Sequence, residues 1–311
     1  MRLRGARGWI SRAMTLAAFA ALVPTPAQSQ EWRDFRAARQ ATGFASLDAE
    51  IVYGVGRLTV TRSARPFLYD VHMRYDRERF APVRVWSAET EQGKLRIALT
   101  STDQEGEDDG HVRVHLDDFD FDLNLNDLKR AGDSEGRLAL ELHPGIPTDL
   151  RIRAGAADNH LDLGGLSLTS LDVTTGASRT RLSFDEANLT RMGQMKLRAG
   201  AAEFQAEKLG NARFDELLFE GGVGDVTLDF TGVWETNATA SIHMKLGSLK
   251  LRLPADLGVR INRKSFFLSF EAEGFTKIDD AYETTNWDTA AARIEIDLDA
   301  AVGSVSVERL P

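Results

Sequence analysis

An all-β fold is predicted for this chain, specifically a single-stranded β-helix or β-solenoid with rungs of about 21–25 residues. Two observations predict it. From Ile51 onward, short segments alternate apolar and polar residues and are broken at regular intervals by glycine or proline, the pattern of half-buried strands. From Leu150 onward, one unit recurs: apolar–x–apolar–x–x–Gly–small. Its anchoring glycines are Gly155, Gly176, Gly200, Gly222 and Gly247, spaced by 21, 24, 22 and 25 residues.

The elements follow in chain order. Residues 1–29 have the three parts of a secretory signal. Arg2, Arg4, Arg7 and Arg12 open it, Ala13–Val23 is an apolar run too short to span a bilayer comfortably, and Ala27 and Ser29 supply small residues before a cleavage point. The mature chain is therefore expected to be exported, periplasmic or extracellular, and not membrane-spanning. Glu31–Gln40 sets Trp32, Phe35 and Ala38 at helical spacing, which predicts a short N-terminal amphipathic helix.

Residues 30–136 then form an N-terminal β region. Its apolar pairs are Leu58 and Val60, Val71 and Met73, and Val83 and Val85, followed by Leu95, Ile97 and Leu99. A further strand is expected to hold Phe119, Phe121, Leu123 and Leu125 on one face and Asp118, Asp120, Asp122, Asn124 and Asn126 on the other.

Residues 137–311 carry the solenoid and its C-terminal cap, continuous with the preceding region. Three residues before the five glycines stand Ile152, Val173, Leu197, Phe219 and Met244. Five before stand Leu150, Leu171, Met195, Leu217 and Ile242, and six after stand Leu161, Leu182, Ala206, Leu228 and Leu253. Such a rung buries its apolar side only against the rungs above and below, so equivalent residues stack into columns, and glycine serves where the backbone turns sharply. A β-sandwich of similar strand spacing would not require one residue class at one offset five times. Phe266, Phe267, Leu268, Phe270 and Phe275 are expected to cap the coil. Ile294, Ile296, Leu298, Val302, Val305 and Val307, around Gly303, make two strands or one more rung.

Several motifs resemble a known family. Tyr53–Leu58 (YGVGRL), Pro66–Leu68 and Phe80–Val83 (FAPV) resemble the start of the toast-rack domain of bacterial envelope proteins. Ile146–Leu171 resembles later rungs of that domain. Phe275–Val307 resembles the C-terminal β-solenoid of cell-wall-active antibiotic response (LiaF-like) proteins and of related adhesin-like proteins. The resemblance implies an envelope-associated interaction module and brings no catalytic residues with it. LiaF-like proteins usually carry several N-terminal membrane helices; this chain departs from them in having only the short apolar run.

Composition narrows the chemistry. The net charge is −9, and −13 without the leader, which argues against nucleic acid and against simple electrostatic attachment to an anionic membrane. With no cysteine, disulfides, thiolate metal sites, cysteine nucleophiles and a lipidated N-terminal cysteine are excluded. The six histidines are His72, His111, His115, His143, His160 and His243. His111 and His115 lie four apart, about 13 Å along a strand, too far to share a metal. The acidic turn Asp103–Asp109 lacks the order of a calcium loop, and the row Asp118, Asp120, Asp122 is spaced at about 7 Å, loose for one ion. Asp158, Asp162, Asp185, Asp225 and Asp229 fall on different rungs without a pairing. Gly221-Gly222-Val223-Gly224 follows no strand-to-helix pattern, and no Gly-x-Ser-x-Gly elbow exists. No residue is therefore assigned a catalytic or metal role, no binding residue is identified, and no cofactor is expected. The expected function is a non-catalytic module for another envelope protein or a cell-wall component. The alternatives are a polysaccharide-active β-helix enzyme and a structural spacer.

Overall fold

The computed structural model describes residues 31–101, 111–116, 119–124, 136–264, 269–272, 274–279 and 281–311. Residues 31–311 form one unit, whose described elements are strands apart from one short 3-10 turn. The middle of the coil comprises β9 (Thr148–Asp162), β10 (Leu168–Thr175) with β11 (Ser178–Ser183), β12 (Met192–Glu207), β13 (Phe214–Asp229) and β14 (Ala238–Pro254). Each pairs in parallel with the next. Every rung bends once near its centre, giving two strand halves that face each other across the core, and a short loop returns the chain to the next rung.

Inward residues stack in register. One column of the first half is Ile152, Val173, Leu197, Phe219 and Ile242, all fully buried. One column of the second half is Leu161, Leu182, Ala206, Leu228 and Leu251. Phe204 and Phe219 meet across the core with ring centroids 5.6 Å apart. Such side chains each contribute roughly 1.5–3 kcal/mol on burial, so the columns rather than local propensity hold the coil.

The bend explains the glycines. A Cβ on Gly155 would lie 2.5 Å from the Gly54 carbonyl oxygen of the rung above, and one on Gly222 would lie 2.6 Å from that of Gly200. Two residues further on, Gly224 (φ 142°), Gly247 (φ 131°) and Gly303 (φ 136°) stack on one another in a conformation that side chains disfavour. The corner thus carries two glycine columns. Gly247 belongs to the second, whereas the sequence repeat places it in the first with Gly222. The residue level with Gly222 is Lys245, so the fifth rung is shifted by two: Ile242 and Leu251 occupy the columns expected for Met244 and Leu253. The shift was hidden because rung 222–247 offers a glycine at either position.

At both ends the spatial order departs from the chain order. β2 (Ser46–Arg62) is a full rung paired to β9, but the next rung outward is made of two later strands, β5 (Gln92–Ser101) and β8 (Arg137–Leu142). β4 (Phe80–Glu89) covers β5, and β3 (Phe67–Asp76) covers β8, both antiparallel. β6 (His111–Leu116) and β7 (Phe119–Asn124) form a separate two-stranded sheet. At the other end, β19 (Arg293–Leu310) is one rung paired to β14. Outside it lie β15 (Gly258–Arg263) and β16 (Ser269–Ala272). β18 (Ala281–Thr284) covers β15, and β17 (Phe275–Ile278) pairs with β18.

The expected N-terminal helix is a strand: β1 (Trp32–Gln40) pairs antiparallel with β3 from Trp32 opposite Asp76 to Gln40 opposite Phe67. Phe35, Ala37 and Arg39 alternate inward, and the Arg39 guanidinium lies 4.3 Å from the Trp86 ring centre. An arginine supplying inward cover by its stem and a cation–π contact breaks the hydrophobic alternation that would have marked a strand. The same applies to β4. Its inner face is Pro82, Arg84 and Trp86, with Arg84 donating to the Tyr69 hydroxyl at 3.2 Å, while Val85 is 54% exposed. Of the expected cap aromatics, Phe266, Phe267 and Leu268 lie outside the described residues; Phe275 packs against the core.

Candidate functional site

The solvent-facing positions of successive rungs meet at the strand spacing of about 4.8 Å, so charged residues form ladders. On the first half, Arg198 reaches Asp172 at 3.1 Å and Glu220 at 2.8 Å, while Arg151 reaches Asp48 at 3.1 Å and Arg153 pairs with Glu50. On the second half, Arg57 pairs with Asp158 at 3.4 Å and Arg179 with Glu203 at 3.0 Å. Arg181 donates to Gln205 at 3.1 Å and pairs with Glu207 at 3.3 Å.

These second-half rows enclose a groove of about 160 Å³ across β9, β11 and β12. Asp158, Arg179 and Glu203 form one row; His160, Arg181 and Gln205 form the other. At that volume the groove is well short of the ~300–1,000 Å³ of a pocket that engulfs a drug-sized molecule. Its chemistry is recognition through donors and acceptors. The Glu203 hydrogen bond and charge hold the Arg179 guanidinium more firmly protonated than usual. Beneath the groove, Asn159 interrupts an apolar column. It donates to the Thr180 hydroxyl at 2.9 Å, and its Oδ1 has no partner among the described residues.

The candidate carboxylates are dispersed into structural contacts. Asp185 pairs with Lys208 at 2.8 Å. Asp225 accepts from the Ser248 hydroxyl. Asp229, nearly buried, accepts from the Thr231 amide at 2.8 Å. Asp162 is exposed at the end of β9, and only Asp158 lines the groove. Among the histidines, His72 contacts Asp34 at 3.2 Å, His143 Nδ1 accepts from the Gly145 amide at 3.1 Å, and His160 lies 3.7 Å from Asp158. His243 is exposed on β14. His111 lies opposite Asn124 and His115 opposite Asp120 in the β6–β7 ladder, where Asp122 faces Arg113. Asp118 and the turn 103–109 lie outside the described residues, whereas Gly221–Gly224 form the corner of β13. Among the described residues no three His, Asp or Glu side chains converge on a metal position, and no helix is long and apolar enough to cross a membrane.

Two buried asparagines escaped the sequence reading. Asn188 accepts from the Leu168 amide and donates to the carbonyls of Leu168 and Thr190, each at 2.8 Å. One rung on, Asn211 donates to the Phe184 carbonyl at 2.8 Å and accepts from the Val233 amide at 2.9 Å. They satisfy backbone groups that the return loops would otherwise bury unpaired. Their separation of one rung was the available signal.

Parallel rungs with inward apolar columns, a glycine corner and laddered outer charges define a β-solenoid. A family model described as the N-terminal domain of toast_rack, DUF2154, matches residues 27–205. The chain belongs to this toast-rack family. Among solved structures it is similar to a candidate cell adhesion protein from Clostridium sporogenes, with 15% identity, TM-score 0.43, and coverage of 90% of this chain and 100% of that one. It is also similar to a candidate adhesin from Bacteroides fragilis, with 13% identity, TM-score 0.34, and coverage of 91% and 98%. No curated protein matches the chain.

Proposed function

We propose that this protein is a non-catalytic, exported, envelope-associated binding module that engages an extended partner along its laddered face. The observation that carries this reading is the shallow polar groove on β9, β11 and β12. Its two arginines already have acidic or amide partners on the next rung, and its volume is below that of a pocket enclosing a drug-sized molecule. A rigid repetitive face presents donors and acceptors at regular spacing, which suits an extended protein or glycan. The leader-like start and the toast-rack membership support an envelope location. A protein or cell-wall component is the partner class, and nucleic acid is disfavoured by the net charge.

The purified mature protein is expected to leave cell-wall glycans and acidic polysaccharides uncut, while cross-linking in cells captures envelope proteins. Release of new reducing or unsaturated ends, abolished by Asp158→Asn or Glu203→Gln, would reverse the reading in favour of a polysaccharide-active enzyme. Mass spectrometry of the native protein should find its N-terminus near Gln30 or Glu31; intact Met1 in the cytosol would refute export.

A further inference from the structure

The two ends of the coil differ in charge and in how their strand edges are covered. Segment 31–101, which holds the first cap, has twelve Lys and Arg against nine Asp and Glu; segment 255–292, which holds the second, has four against seven. At the first end the outermost described strand over the second half of the rung is β1. It is antiparallel to β3, which is antiparallel to β8, so β1 runs in the direction of the rungs. At the other end the second half terminates in β16, which also runs with the rungs and whose outer edge has no backbone partner among the described residues. An uncovered edge is a template for another strand, and proteins ordinarily blunt it.

The register carried through the coil says what would fit there. One inward column runs from Phe35 through Met73, Leu138, Leu58 and Asn159 to Val305, and the β16 backbone position level with Val305 is that of Phe270. The neighbouring inward column runs from Ala37 through Val71, Leu140 and Val60 to Val307, and the β16 backbone position level with Val307 is that of Ala272. We propose that a second copy of this chain docks head to tail, its β1 adding in parallel to β16, with Phe270 level with Phe35, Ala272 with Ala37 and Glu271 with Arg36 of the added strand. Every pairing inside the coil's middle is of this parallel kind, so the joint repeats the internal one. Arg36 is exposed and makes no ion pair among the described residues, and the position it would meet is an acid. The first half carries one strand more than the second at such a joint: β18, β17 and β4 against β3 and β1. That wedge of about 4.8 Å tilts successive copies, and a heterologous contact of this sort builds a curved filament or a ring.

The absence of cysteine makes the test clean. Purified Arg36→Cys and Glu271→Cys variants, each melting like the unmodified protein, are mixed under oxidising conditions. A disulfide-linked dimer that forms in the mixture and in neither variant alone is the expected result. Cross-linking of Glu271→Cys with itself to the same extent would show a two-fold β16–β16 pair, and no cross-linking in any arm would show a monomer; either overturns the proposal. In the unmodified protein, amide exchange at Phe270–Ala272 and along Trp32–Gln40 should slow together as protein concentration rises. Exchange independent of concentration would overturn it without recourse to variants.

Discussion

The middle and the ends of this coil solve the same problem differently. Between β9 and β14, each rung packs on the one before it in the chain, and every edge strand is covered by the next stretch synthesised. At the ends no next rung exists. There the outermost rung is assembled from two short strands, β5 with β8 or β15 with β16, and a long uninterrupted rung, β2 or β19, lies inside it. The chain's last strand is consequently an interior one, flanked by β14 on one side and by β15 and β16 on the other. Burying the longest strands and leaving the short ones outermost, with antiparallel covers over β5, β8 and β15, limits the exposed ladder that a blunt solenoid end would present.

The most severe way to break this contrast is to cut it. Deleting residues 293–311 removes an interior rung, and the expected outcome is loss of the cooperative thermal transition. Deleting 31–40 removes only an outermost strand and should leave a folded protein with a lower melting temperature. A well-folded protein without 293–311 would show that β19 is dispensable and that the ends are not locked by insertion.

Within the middle, Leu197→Asp buries an unpaired carboxylate in a fully packed column, which should cost more than about 4 kcal/mol. Its neighbour Arg198 faces the ladder, and Arg198→Ala should cost only about 1 kcal/mol by losing partly buried pairs to Asp172 and Glu220. Equal melting temperatures for the two variants would overturn the inward register.

The corner offers a sharper comparison. Gly247→Ala sets a methyl against the Gly224 carbonyl at a left-handed φ, with an expected loss of about 2–3 kcal/mol in denaturant unfolding. Gly193→Ala, on β12 with open space around its Cα, should lie within about 0.5 kcal/mol of the parent.

The smallest effect is electrostatic. The Arg62 hydrogen bond and charge hold the Glu186 carboxyl below its ordinary range. The folded value is therefore lower than the unfolded one, so this contribution is complete above the unfolded value and is lost as pH falls through the folded one. The melting difference between the parent and Glu186→Gln should be small at neutral pH and should vanish in acid. A difference that grows on acidification would contradict the pairing.

How much could be read beforehand depended on where a residue's partner lies. Ile152, Val173, Leu197 and Phe219 announced their column because each packs on its counterpart one rung away, and the repeat writes that relation into the chain. β1 was misread because Arg39 stands inward where an aliphatic residue would have signalled a strand, and its partner Trp86 lies far along the chain. The groove was invisible as a site because Asp158, Arg179 and Glu203 are ordinary surface residues until the register aligns them. By itself, then, the sequence determined the all-β class, the inward columns of the middle rungs and the presence of a glycine corner, since each is a short-range periodic demand on the chain. Only the tertiary structure decided the two-residue shift at Gly247, the inversion of strand order at both ends and the edge of β16 that has no backbone partner among the described residues. Those depend on which distant strand satisfies a given backbone ladder, and hydrogen bonds between main chains carry no side-chain label from which that choice could be read.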